Sequence, residues 1–252
     1  MELPLLLAGA FIAGLIDAVV GGGGLIQIPL LFSAFPQTAA ATIFGTNKLA
    51  AVFGTASAAL RYVRRVRIPW RAALPAAGAA FFFAFLGATT VTILPQAILK
   101  PLVLVLLVVV AAYTWTRKDF GHTDLELQFG RRHTIGALVL GGGIGFYDGF
   151  FGPGTGSFLI FLFVRFFGFD FLRASATAKV VNVMTNFAAL LHFGSGGGIM
   201  WQLGFGMAVF NMAGALIGSQ LALRHGSWLV RCLFLVVVSL LIVRFAWELL
   251  EQ

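Results

Sequence analysis

Two related stretches decide the fold of this chain: residues 14–24 read GLIDAVVGGGG, and residues 145–155 read GFYDGFFGPGT. Each places one aspartate inside an apolar run and then breaks the run with glycines. The apolar runs that follow the breaks, 25–35 and 157–168, are only 11 and 12 residues long. A helix of that length spans about 17 Å, roughly half of the hydrocarbon thickness of a bilayer. The pattern predicts short helices that begin at a glycine break, inside protein or beside a water-filled cavity at membrane depth.

The composition indicates an integral membrane protein. Of the 252 residues, 60% are hydrophobic and only 10% are charged, whereas a soluble domain carries about 25% charged residues. This excludes a soluble enzyme, and it excludes nucleic acid as a partner although the net charge is +8. The basic residues lie in short linkers, where they report membrane orientation.

Ten apolar segments divide the chain. They lie near residues 3–20, 25–35, 38–61, 70–93, 97–116, 134–151, 157–168, 171–193, 201–223 and 228–248. We therefore predict an all-α, polytopic transmembrane protein with a single membrane domain. Its parts are a first transmembrane repeat (1–116), a linker (117–133) and a second transmembrane repeat (134–252). The segments do not decide whether the two short helices re-enter or cross the membrane.

The two halves form an internal repeat with an offset of 131 residues. Both intramembrane aspartates and both intramembrane lysines recur in register with the glycines. The matching pairs include Gly14/Gly145, Asp17/Asp148, Gly21/Gly152, Gly23/Gly154, Thr46/Thr177, Lys48/Lys179 and Trp70/Trp201. Because rare charges recur together with the glycines, we interpret the repeat as a duplication.

Loop charges predict that the second repeat is inverted. Eleven of the 17 lysines and arginines lie in the linkers 61–71, 116–133 and 224–231, which the positive-inside rule places in the cytoplasm. The repeat counterpart of the first linker, around residues 194–198, carries no charge. Equivalent loops on opposite sides require two inverted repeats, each with a glycine-broken short helix.

Four ionisable residues inside the apolar runs are candidates for function: Asp17, Lys48, Asp148 and Lys179. An aspartate or lysine at a helix centre costs about 2.5–3.5 kcal/mol on insertion scales, so it usually faces a partner or a cavity. The lysines are candidate partners for an anion. The aspartates are candidate proton-coupling groups. The alternative is an ion pair that fastens each half together without touching substrate.

Amides, hydroxyls and backbone amides complete the predicted site. Lys179, Asn182 and Asn186 share one helix face through their spacing, although the two asparagines could instead bond between helices. Glycine-broken helix ends expose N–H groups that attract anions, although glycines also permit close helix packing. The predicted substrate-binding residues are Lys48, Lys179, Thr46, Asn47, Thr177, Asn182, Asn186, Gly22, Gly23, Gly24, Gly154, Thr155 and Gly156.

The sequence contains no phosphate-binding GxxxxGK[ST] loop, no HExxH motif and no pair of cysteines. We therefore expect no cofactor, no metal site and no enzymatic activity. A membrane-embedded enzyme is the weakest alternative. An uncoupled anion channel or facilitator that uses the same polar path is a stronger one.

The chain resembles the sulfite exporter TauE/SafE family in residues 14–29, 45–49, 148–157 and 176–182. The resemblance covers nearly the whole chain. It implies a multi-pass permease of the bacterial inner membrane for sulfur-containing anions such as sulfite, sulfonates or related organic acids. Members differ in substrate. Pro153, Thr155 and Ser157 depart from the all-glycine pattern, which suggests that the halves contact substrate differently or that only one does.

From the residues and the resemblance, we expect a secondary transporter of a small anion that works by alternating access. The expected partners are the anion, the lipid bilayer and protons as a coupling ion. The direction of transport and the oligomeric state stay open.

Overall fold

A computed structural model describes residues 2–90 and 130–250, which form eight α-helices without a strand in these ranges. The helices are α1 (Glu2–Val20), α2 (Gly24–Ala34), α3 (Ala40–Val63), α4 (Trp70–Thr89), α5 (Arg131–Phe150), α6 (Thr155–Phe167), α7 (Phe171–Ser195) and α8 (Trp201–Leu250). The prediction of an all-α protein is confirmed. The predicted segment 97–116 and the linker 117–133, apart from its last four residues, lie outside the described residues.

The two short helices begin where the sequence predicts them, at the glycine breaks. Gly21 and Gly152 have φ angles of 80° and 88°, a left-handed conformation that ends a helix and that favours glycine. After these residues, α2 and α6 begin at Gly24 and Thr155 and run for 11 and 13 residues. A further break falls at Gly226 (φ 67°), which separates α8 into two parts, as the two predicted apolar segments there require.

The halves pack in an equivalent way. In the described part of the chain, α1 packs mainly against α8, and its counterpart α5 packs mainly against α4. Glycines allow these close approaches, because a methyl group on Gly14 would overlap the Asn211 carbonyl and one on Gly145 would overlap the Ala80 carbonyl. Adding the repeat offset of 131 residues to Gly14, and subtracting it from Asn211, turns the first contact into the second. The opposite membrane orientation of the halves stays a prediction.

Polar residues lie inside the molecule and large apolar residues lie outside. Lys48 and Lys179 are buried, whereas Phe82, Val139 and Val209 are at least 60% exposed. Three of the described helices contain a stretch long and apolar enough to cross a membrane: Leu3–Val20, Trp70–Thr89 and Trp201–Val237. Helices α3 and α7 have 24 and 25 residues, and they carry many of the buried polar side chains. This inside-out distribution suits a lipid environment.

Candidate functional site

Polar side chains from both halves meet around a small cavity where α2 and α6 begin. The cavity has a volume of about 30 Å³, which holds only one or two water molecules. Its lining comprises Asp17, Gly21, Gly23, Gly24, Gln27, Asn47, Lys48, Ala51, Asp148, Gly152, Thr155, Gly156, Asn182, Asn186 and Asn211. The site is therefore built by both repeats together.

Each buried lysine pairs with the aspartate of the opposite repeat. Lys48 Nζ on α3 lies 2.7 Å from Asp148 Oδ2 on α5, and each side chain is 3% exposed. Lys179 Nζ on α7 lies 3.2 Å from Asp17 Oδ2 on α1, with side chains 0% and 15% exposed. The alternative of an ion pair within each half is not the observed arrangement. These pairs join the two halves across the site.

Hydrogen bonds connect the two ion pairs into one network. Lys48 Nζ also donates to Asn186 Oδ1 at 3.2 Å, and Asn186 Nδ2 donates to Thr55 Oγ1 at 3.4 Å. Thr55 Oγ1 in turn donates to Asp17 Oδ2 at 3.3 Å, which also accepts from Lys179. A change at one ion pair can therefore reach the other through two polar side chains.

Backbone groups at the starts of α2 and α6 face the cavity. The first four N–H groups of a helix have no acceptor within the helix and carry partial positive charge. One of the amides at the α2 start, Gly23 N, points to Asp17 Oδ1 at 3.4 Å. Gly24 and Gly156 line the cavity as well. Positive partial charge therefore adds to the two ammonium groups.

Buried hydroxyls fix the backbone just before the first break. Three consecutive carbonyls at the end of α1 accept hydrogen bonds from other helices: Ala18 O from Tyr62, Val19 O from Ser175, and Val20 O from Ser157, at 2.8, 2.8 and 2.7 Å. The last carbonyls of a helix otherwise have no partner. These bonds hold Gly21 against Gly156 of the other half, where a side chain would not fit.

Most of the predicted site residues line the cavity. Among them are Asn47, Lys48, Asn182 and Asn186, the glycines 23, 24 and 156, Thr155, and both candidate proton-coupling aspartates. Lys179 is outside the cavity lining, but it contacts the site through Asp17.

The other predicted residues are placed elsewhere. Thr46 and Thr177, which are repeat-related, donate to carbonyls one turn earlier in their own helices, at 2.7 Å each. Thr46 also accepts from the Met200 amide at 3.0 Å. Gly22 faces Val237 on α8, and Gly154 is the left-handed residue before α6. In this conformation these four residues support the backbone instead of facing the cavity.

Sequence reasoning missed two amides in the cavity lining. Asn211 Nδ2 on α8 donates to Gln27 Oε1 on α2 at 3.1 Å, and both residues are buried. Gln27 Nε2 and Asn47 Oδ1 have no hydrogen-bond partner among the described residues. The available signal was Gln27, the only side-chain amide in α2, one turn beyond Gly23; Asn211 gave no comparable signal, because α8 also contains Gln202 and Gln220. The described residues contain no group of three or more His, Cys, Asp or Glu residues that could hold a metal ion.

Comparison with known proteins gives one family and several relatives. The family described as "Sulfite exporter TauE/SafE" matches residues 6–245. The "Probable membrane transporter protein ORF9" of a Sinorhizobium species is 37% identical, over 96% of this chain and 91% of that protein. The "Probable membrane transporter protein YfcA" of Escherichia coli strain K12 is 34% identical, over 98% and 92%. A "Probable membrane transporter protein" of Haemophilus influenzae is 33% identical, over 98% and 95%. No solved structure gives a significant match.

Proposed function

This chain belongs to the sulfite exporter TauE/SafE family of membrane transporters, and on that premise we propose that it is a secondary transporter of a small anion. The proposed substrate is a sulfur-containing oxyanion or an organosulfonate, such as sulfite. The description of the family supports the sulfur chemistry, and the charges at the centre of the molecule support an anion.

The two ion pairs that join the repeats are the main support for this proposal. Two ammonium groups lie buried between the repeats, and each is neutralised by a carboxylate from the other repeat. Since the desolvation cost of a buried charge has to be offset by a partner, an oxyanion could take the place of a carboxylate beside Lys48. The uncommitted amide Nε2 of Gln27 would supply a further donor.

The small size of the cavity fits a carrier in a closed conformation. A cavity of about 30 Å³ holds one or two water molecules, which is too little space for a sulfite ion with its contacts. We propose that the anion binds in a conformation where the repeats have moved apart. Movement of two repeats around a midplane site is the alternating-access mechanism of many inverted-repeat transporters.

The aspartates provide a route for coupling to protons. When Asp148 takes up a proton, it no longer neutralises Lys48, and the lysine becomes available to an anion. Asp17 is the more accessible carboxylate, since its side chain is 15% exposed whereas that of Asp148 is 3% exposed. We propose that protons enter the network at Asp17. We also propose that the protein lies in the bacterial inner membrane with linkers 61–71, 116–133 and 224–231 in the cytoplasm.

Thermal stabilisation of the purified protein across a panel of anions tests the proposal. The panel contains sulfite, thiosulfate, sulfonates, sulfate, phosphate, carboxylates and chloride. A ligand at 100 times its dissociation constant stabilises the folded state by about 2.7 kcal/mol. We expect selective stabilisation by a sulfur anion.

Two variants separate site binding from general charge effects. The double variant Lys48→Gln/Asp148→Asn removes the ammonium without leaving its carboxylate unpaired, and we expect it to lose the stabilisation. Arg67→Gln, in an exposed linker position, removes a positive charge outside the cavity and should keep the stabilisation. Equal stabilisation of the double variant would contradict the assignment of Lys48. A flat response to every sulfur anion would contradict the substrate class.

A further inference from the structure

A second basic site lies between α3 and α8, outside the central cavity. It is a groove of about 860 Å³ lined by Ser57, Leu60, Arg61, Arg64, Arg65, Leu172, Leu216, Gln220, Leu223 and Arg224. Four of these ten residues are arginines, and four are leucines. None of them lines the central cavity. We call this feature the arginine groove.

Three of the four arginines lie towards one end of the arginine groove, whereas leucines line it along its length. The lining passes from Leu60 near the end of α3 to Arg64 and Arg65, which directly follow that helix, and along α8 it passes from Leu216 to Arg224. Arg61 on α3 lies beside Leu216 and Gln220 on α8, because its Nη1 donates to Leu216 O at 2.9 Å and to Gln220 Oε1 at 3.1 Å. In both segments, leucine is therefore followed by arginine along the chain.

The basic end of the groove has guanidinium groups that pair with no carboxylate among the described residues. Arg64, Arg65 and Arg224 are exposed, and in ranges 2–90 and 130–250 no carboxylate forms an ion pair with them. Arginine binds phosphate oxygens in a bidentate manner. Three such groups beside leucine side chains match a molecule with an anionic phosphate and a hydrocarbon part.

We propose that the arginine groove binds an anionic phospholipid, with the headgroup phosphate at Arg64, Arg65 and Arg224 and an acyl chain along the leucines. Basic pockets between transmembrane helices are known to bind anionic headgroups. The groove opens on the apolar exterior of the helices, since Leu60 is 54% exposed, and a lipid can therefore reach it from the bilayer. The proposal does not depend on the transported substrate.

Native mass spectrometry of the full chain in detergent, titrated with phosphatidylglycerol, tests this proposal. Phosphatidylcholine with the same acyl chains is the zwitterionic control. The test variant is Arg64→Gln/Arg65→Gln/Arg224→Gln. The matched variant is Arg67→Gln/Arg71→Gln/Arg132→Gln, which removes the same charge from exposed positions outside the groove. At about 1 kcal/mol per basic residue, each lost arginine weakens binding about fivefold, so the test variant should lose roughly a hundredfold.

The outcomes separate the lipid from other ligands. We expect tight phosphatidylglycerol binding to the wild type and to the matched variant, and weak binding to the test variant. Equal phosphatidylglycerol affinity in the test variant would overturn the proposal, as would equal affinity of the wild type for phosphatidylcholine. If sn-glycerol 3-phosphate competes as well as the lipid at equal concentration, the groove takes a soluble oxyanion and the lipid assignment is wrong.

Discussion

Replacing Lys48 with glutamine breaks the more deeply buried ion pair of the site and leaves Asp148 without its cation. The two charges lie 2.7 Å apart with side chains 3% exposed, so Coulomb's law at an effective dielectric constant near 20 gives a gross attraction of about 6 kcal/mol. Much of this attraction offsets desolvation. Removing one partner of a buried pair costs about 3–5 kcal/mol of folding free energy, whereas replacing both can be nearly neutral.

A double-mutant cycle on Lys48→Gln and Asp148→Asn measures this coupling. Unfolding in mixed detergent micelles gives the free energy of each variant. We expect each single variant to lose about 3 kcal/mol and the double variant to recover most of the loss, because neither charge is then left unpaired. In the wild type, Asn186 Oδ1 accepts a hydrogen bond from Lys48. The side-chain amide of the introduced glutamine supplies a replacement donor for this oxygen.

The control cycle combines Lys48→Gln with Asp17→Asn, the aspartate of the same repeat. It tests the alternative in which the lysine and the aspartate of the same repeat form an ion pair. We expect a much smaller coupling, because Asp17 pairs with Lys179. A coupling energy below about 0.5 kcal/mol for Lys48 and Asp148, which is the range for independent sites, would refute the ion pair between the repeats. A larger coupling in the control cycle than in the test cycle would refute it as well.

Three further changes test other parts of the account. Gly21→Ala should cost about 2–5 kcal/mol of unfolding free energy, because φ is 80° and the new methyl group would overlap Gly156. The control Gly78→Ala adds a methyl group where nothing lies within 4 Å, so it should be neutral or stabilising. Equal effects of the two variants would contradict the close packing at Gly21. Asp17→Asn should make transport into vesicles independent of an imposed pH gradient, whereas unchanged gradient dependence would exclude Asp17 as the coupling group. Gln27→Leu should weaken anion binding about 10- to 150-fold, because it removes a hydrogen bond to a charged ligand that is worth about 1.5–3 kcal/mol. An unchanged dissociation constant would exclude a contact with Gln27.

Local sequence signals predicted the two short helices and most of the cavity lining, but not Gln27 and Asn211. The glycine breaks predicted α2 and α6 because a residue with positive φ ends a helix wherever it stands, as at Gly21 and Gly152. The rare intramembrane charges predicted the centre of the site because a buried lysine needs a partner at any position in the fold. These inferences required no knowledge of how the helices pack.

Pairing and orientation depend on the packing and could not be predicted from the sequence. From the sequence alone, Lys48 could pair with an aspartate of either half, and only the folded chain, in which Asp148 lies 2.7 Å away, identifies its partner. Thr46 has the residue type of a substrate donor, yet its hydroxyl bonds to Thr42 O and accepts from Met200 N. Asn211 lies far from the glycine breaks in sequence, and only the packing of α8 brings it to Gln27.

Counterflow of radiolabelled sulfite in proteoliposomes can show whether this protein is a carrier with its anion site at Lys48. Vesicles loaded with unlabelled sulfite are diluted into medium with a trace of labelled sulfite, and the label inside is followed over time. For a carrier with its site at Lys48, we expect a transient accumulation of label above its external concentration in wild-type vesicles and none with Lys48→Gln/Asp148→Asn. Label that only equilibrates with its own gradient in the wild type would contradict a carrier, and label that accumulates equally in the double variant would contradict a site at Lys48.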